Sequence, residues 1–202
     1  MASDKFKLLL SNVSQTLKEA GYKKKGNSFY SNQKNNWGII NFQKSKSSNE
    51  DTLKFTINYG VCSSVLRKVV DYNTSNEKLD VADCHWQARI GTLMPGAPDF
   101  WWTTSDKQLN QTVDEVITAL KNNVLPEINK RISDKDLIEV WMSDQYPGTT
   151  ELNRFRYLIT LLKEANDSRL IPFINNFITS LQGKPLEKMA IAHLKEFDLY
   201  AK

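Results

Sequence analysis

Residues 53–61 read Leu53-Lys54-Phe55-Thr56-Ile57-Asn58-Tyr59-Gly60-Val61. Leu53, Phe55, Ile57, Tyr59 and Val61 fall in one phase of a two-residue period, and Lys54, Thr56 and Asn58 fall in the other. The stretch is therefore expected to be a β-strand with one buried face and one that begins polar. Two more segments favouring strands, Ser28 to Gln33 and Trp37 to Gln43, precede it, with turn material at Lys34-Asn35-Asn36 and from Ser45 to Asp51. Short polar connections of this kind join antiparallel neighbours. Downstream, Trp86, Ala88 and Ile90 alternate with His85, Gln87 and Arg89. Phe100 and Trp102 then oppose Trp101 and Thr103 in a last short strand. The expectation is an antiparallel sheet of about five strands.

Helices flank these segments. Phe6, Leu9, Leu10, Val13, Leu17 and Ala20 recur at helical spacing between Ser3 or Asp4, expected as N-cap, and Gly21, expected as the stop. The Lys-rich Lys23-Lys24-Lys25 reads as a solvated turn. Val65, Leu66, Val69 and Val70 permit a short helix, and Asn73 to Asp80 reads as a loop. From Ser105 the period lengthens to three or four. Leu109, Val113, Val116, Ile117, Leu120 and Val124 form one stripe, bent or ended near Pro126. Further helices are expected after Ser133, after Thr149 or Thr150, after Ser168 as cap, and from Pro185 onward. The fold class predicted is α+β, with an N-terminal and a central helix on the sheet and a C-terminal helical bundle. The boundaries expected are 1–131 for the α+β domain and 132–202 for the helical extension.

Composition excludes several classes. With 40% hydrophobic and 25% charged residues the chain is of ordinary globular type, and no tract approaches the length of a membrane span. The segment Met1 to Ser11 lacks a signal-peptide pattern, so a cytoplasmic location is expected. Cys62 and Cys84 are too few for a disulfide framework or a metal knuckle and read as reduced, buried thiols. Residues 1–70 carry 12 lysines and arginines against 4 acids, and the remainder 15 against 19. Such asymmetry can mark an anionic partner, with Lys23 to Lys25, Lys44 and Lys46 as the nucleic-acid candidates. A run this modest is more simply a solvated face.

Catalytic signatures are sparse. Cys84-His85 suggests a thiol–imidazole pair, but adjacent strand residues point to opposite faces. Asp80, Asp83 and His85 lack the further converging donors that a tetrahedral metal site needs, because the second histidine, His193, belongs to a distant helix. Phosphate-binding glycine loops and nucleophile elbows do not occur. No cofactor and no metal are expected.

A surface is the stronger candidate. If the strands align, Asn41, Gln43, Asn58, His85, Gln87 and Arg89 share one polar face, with Trp101 and Trp102 at its border. Arg and Trp are the usual energetic anchors of interfaces, and amides add directional hydrogen bonds. Alternatively, a helix of the tail covers this face and leaves Asn41, Asn58 and Arg89 as a satisfied buried network that fixes register.

The blocks Gly21 to Tyr30, Trp37 to Ser45, Phe55 to Val61, Trp86 to Gly91 and Asp99 to Trp102, in this order, resemble a bacterial family of unknown function, domain of unknown function 4304. The resemblance covers roughly residues 5–130 and implies a small α+β module, with no reaction, ligand or cofactor carried over. The leading expectation is a non-enzymatic protein-binding module, in one form immunity- or antitoxin-like, whose partner is another protein rather than nucleic acid or membrane. The other is a hydrolase or nuclease-like enzyme using Arg89, His85 and a carboxylate such as Asp83 or Asp99. It requires those groups to converge.

Overall fold

The computed structural model describes residues 2–71, 79–96, 98–143 and 148–199. The chain divides into two compact units, one formed by Met1–Ser63 with Glu77–Ser133, the other by Ser64–Asn76 with Asp134–Lys202.

The first unit is built on an antiparallel sheet of β1 (Lys23–Lys25), β2 (Ser28–Gln33), β3 (Asn36–Lys44), β4 (Leu53–Cys62) and β5 (Trp86–Arg89), in that spatial order. A sixth strand, β6 (Trp102–Thr104), pairs with the other end of β4. Both residues of the β2–β3 turn, Lys34 and Asn35, have positive φ (49° and 68°), the geometry of a two-residue turn matched to strand twist. That turn fixes Gln33 opposite Asn36 and therefore Ser28 opposite Asn41. The lysines at 23–25, expected in a turn, form the edge strand instead. A tight reversal at Gly26 (φ +63°) folds Lys25 back opposite Ser28. All three lysines are exposed, and charge along a sheet edge discourages pairing with other chains.

The apolar phase of β4 is the core. Leu53, Phe55, Ile57, Tyr59 and Val61 are fully buried. Phe29, Phe42, Phe55 and Trp102 form an aromatic row across four strands, with successive centroids 5.8, 6.5 and 5.4 Å apart. Over this face lie α1 (Ala2–Glu19), α3 (Leu109–Ala119) and α4 (Leu125–Asn129). Helix α1 begins at Ala2, so Ser3 and Asp4 fall within its first turn rather than at its cap. It ends as expected: Gly21 has φ +84°, and the amide of Tyr22 reaches back to the Leu17 carbonyl at 2.9 Å. Lys5 on α1 is buried and donates to the carbonyls of Glu50 and Asp51 at 2.6 and 2.9 Å, tying the β3–β4 loop to the helix.

Between α3 and α4 the backbone widens into a π-helical turn, Leu120–Val124. Pro126 lacks an amide hydrogen and its ring crowds the preceding turn, which accounts for a widened turn here rather than a continuous α-helix.

The second unit contains α2 (Ser64–Val69), α5 (Asp134–Met142), α6 (Glu151–Glu164), α7 (Leu170–Leu181) and α8 (Pro185–Glu196). Helix α6 touches the other four. Its Phe155 stacks on Phe177 of α7 at 4.2 Å, and Trp141 of α5 lies against Tyr157 at 5.5 Å. Thr150 caps α6 by accepting the Asn153 amide, and Pro185 opens α8. Ser168 does not cap α7: the Asp167 carboxylate accepts the Arg169 amide at 2.9 Å, and the helix begins one residue later than expected, at Leu170. Most of the predicted loop at 73–80 and the break at Tyr146-Pro147 lie outside the described residues. No described helix is long and apolar enough to cross a membrane.

Candidate functional site

The face of the sheet turned away from α1, α3 and α4 carries the other phase of β4. Register places Ser28, Asn41, Asn58 and Arg89 side by side on β2, β3, β4 and β5, as one row perpendicular to the strands. The row is hydrogen-bonded. The Asn41 amide donates to Ser28 Oγ at 2.8 Å, and Arg89 Nε donates to Asn58 Oδ1 at 3.0 Å. The Asn58 amide donates diagonally to Gln43 Oε1 at 2.9 Å.

The row continues beyond the sheet. Arg89 Nη1 donates to Asp99 Oδ1 at 2.6 Å, and the Trp101 indole N–H donates to Asp99 Oδ2 at 3.2 Å. The Arg89 guanidinium lies 5.4 Å from the centroid of the Trp101 ring, and the Lys54 ammonium lies 5.7 Å from it. Hydrogen bonds first from Arg89 and then from Trp101 hold the Asp99 carboxyl below its ordinary value.

Asn41, Gln43, Asn58, Gln87 and Arg89 line a depression of about 540 Å³. Its wall is a short 3-10 turn, Val81–Asp83, preceded by Asp80. The turn is fixed from within: Asp80 accepts the Val81 amide at 2.6 Å and Asp83 accepts the Asp80 amide at 2.7 Å. Beneath it Ile39, Cys62, Leu79, Val81 and Cys84 pack together, and the Tyr30 hydroxyl donates to the Leu79 carbonyl at 2.9 Å. The wall is thus built into the fold. The face is open within this unit: Gln43 and Gln87 are exposed, and Asn41, Asn58 and Arg89 are half-buried.

Two expected members lie elsewhere. His85 was placed with Gln87 and Arg89 by alternation, but β5 begins only at Trp86, so the pleat does not govern it. It is buried, and its Nδ1 accepts the Ser63 amide at 3.1 Å. Trp102 pairs with Phe55 in register, and direct cross-strand partners share a face, so it joins the core and stacks on Phe55. Trp101, just before β6, is the tryptophan that reaches the polar row.

The geometry separates the parts of a catalytic centre. Asp83 accepts the Asp80 amide within the turn, Asp99 bonds Arg89, and His85 accepts the Ser63 amide just before β5, whereas Arg89 ends that strand. Both cysteines are buried and neither is joined in a disulfide, and burial pushes the Cys84 thiol up, away from a reactive thiolate. Among the described residues no group of three or more His, Cys, Asp or Glu is arranged to hold a metal ion.

Ser28 and Lys54 escaped the sequence reading. The signal for Ser28 was present, since a two-residue turn at Lys34-Asn35 pairs it with Asn41. Lys54 enters only through the path of the loop that carries Trp101.

Fold and site together define a small α+β module with helices on one face of an antiparallel sheet and a polar, arginine-centred network on the other. The chain belongs to the family described as Domain of unknown function (DUF4304), which matches residues 13–130. The matched span contains the whole polar row and Trp101, in agreement with the resemblance carried by the sequence blocks. No curated protein and no solved structure matches the chain.

Proposed function

We propose that this protein is a non-enzymatic binding module that recognises another protein through the polar sheet face around Arg89. One observation carries the reading. Arg89 is half-exposed yet held in place from three sides, by Asn58, by Asp99 and by the Trp101 ring. An arginine ordered before binding forfeits little side-chain entropy on docking, and Arg and Trp anchors dominate interface energetics. The neighbouring amides of Asn41, Gln43, Asn58 and Gln87 offer donors and acceptors suited to peptide groups. An immunity- or antitoxin-like partnership is the concrete form favoured. A bacterial cytoplasmic setting goes with this reading.

The test is site-specific photocrosslinking in the native host with p-benzoylphenylalanine at Gln87, or at exposed Lys18 as control. A discrete protein adduct at position 87, lost in Arg89→Ala and absent at position 18, is the expected result. Equal labelling at both positions, or turnover by the purified protein that disappears in Arg89→Ala while the fold persists, overturns the reading.

A further inference from the structure

Arg89 divides its donors between two very different partners. Its Nε–H is committed inward to Asn58, which is itself braced by Gln43. Its Nη1–H points outward to Asp99, whose side chain keeps 69% of its exposure while that of Arg89 keeps 37%. Asp99 is not part of the sheet. It arrives on the loop between β5 and β6, whose neck closes where Gly91 meets the carbonyl of Pro98. The inward bond is therefore part of the framework, whereas the outward one is a contact between a framework cation and a solvated loop carboxylate. Ion pairs as exposed as this contribute little, so exchanging one carboxylate for another costs little. An incoming carboxylate held in the depression would be shielded from water on docking, and charge-assisted bonds to a guanidinium strengthen as water is removed. Lys54, whose ammonium lies 5.7 Å from the centroid of the same Trp101 ring, adds a second cation near Asp99.

We propose, building on the protein-binding reading, that Arg89 is the anchor for a carboxylate side chain of the partner and that Asp99 occupies that anchor in the free protein. Asp99 acts as an internal competitor. Docking moves the Nη donors of Arg89 from Asp99 to an acidic residue of the partner, while Asn58 keeps the guanidinium in register. The partner surface is accordingly acidic where it meets β5, with hydrogen-bonding groups spaced along the amide row.

The experiment uses two peptides, Ac-Gly-Glu-Gly-NH2 and its neutral counterpart Ac-Gly-Gln-Gly-NH2, titrated into the full chain while the Trp101 indole and Arg89 Nε–H resonances are followed by NMR. The glutamate peptide is expected to shift both resonances saturably and the glutamine peptide to leave them in place. Asp99→Asn is expected to tighten glutamate-peptide binding about fivefold, the gain from removing an exposed competing ion pair. Arg89→Gln should abolish it. Arg89→Lys keeps the charge but not the Nε–H bond to Asn58, and should bind more weakly than the unaltered protein. Equal response to both peptides, or no tightening in Asp99→Asn, overturns the proposal. A crosslinked partner at position 87 combined with failure of the peptide test removes the carboxylate anchor alone. Peptide binding with no crosslinked partner removes the protein-binding reading instead.

Discussion

Asn58 on β4 and Arg89 on β5 stand directly opposite each other, and the Arg89 Nε–H donates to Asn58 Oδ1 at 3.0 Å. This cross-strand pair joins the amides of the sheet to the Asp99–Trp101 cluster of the loop. Its consequences are measurable at both ends.

The carboxyl of Asp99 reports on the pair. Its value is lowered chiefly by the hydrogen bond from Arg89. A depressed carboxyl keeps its ion pair above the unfolded value and loses it as pH falls through the lower folded value. In Arg89→Gln the side-chain carboxyl, followed by carbon NMR, should titrate closer to the ordinary value of 3.8 than in the unaltered protein. An unchanged midpoint would show that Arg89 does not hold it.

The two adjacent tryptophans should behave in opposite ways. Trp102 is buried against Phe55, and truncating it to Ala leaves a large cavity expected to cost about 3–5 kcal/mol of stability. Trp101 is half-buried at the site, and Trp101→Ala should cost about 1 kcal/mol or less. Denaturant unfolding of both variants measures the contrast, and a reversed order would contradict the assignment of faces.

Glycine packing provides a third test. A methyl group on Gly91 would sit 1.9 Å from the Pro98 carbonyl oxygen, a backbone atom that cannot yield without reopening the neck of the loop. On Gly38 it would meet side-chain atoms of Ile128 and Tyr22, each at 2.9 Å, and side chains can shift. Gly91→Ala is expected to destabilise by about 3 kcal/mol, the upper end of overpacking costs, and Gly38→Ala by less. Thermal melts rank the two. Because the loop carries Asp99, Gly91→Ala should also raise the Asp99 midpoint.

The amino-acid order by itself determined the periodicities, because side-chain alternation in strands and the three-to-four spacing in helices are local properties. Leu53 to Val61 announced a strand with one buried face, Gly21 a helix end, and Pro126 a departure from regular α-helix near that position. The spacing of Asn41, Asn58, Gln87 and Arg89 placed them on one face because each lies inside a regular strand. Where a strand starts, and which neighbour it meets, is a tertiary matter. His85 lies one residue before the pleat of β5 and was drawn to a backbone amide at Ser63. Trp101 and Trp102 are indistinguishable by composition, and only the pairing of Trp102 with Phe55 sends one into the core and leaves the other for Arg89. The lysines at 23–25 became a strand because the hairpin at Gly26 brought them beside β2, an interaction that local preference does not encode. Tertiary structure alone set Asp99 against Arg89. That contact depends on the course of a loop whose closure is decided by how tightly Gly91 and Pro98 approach.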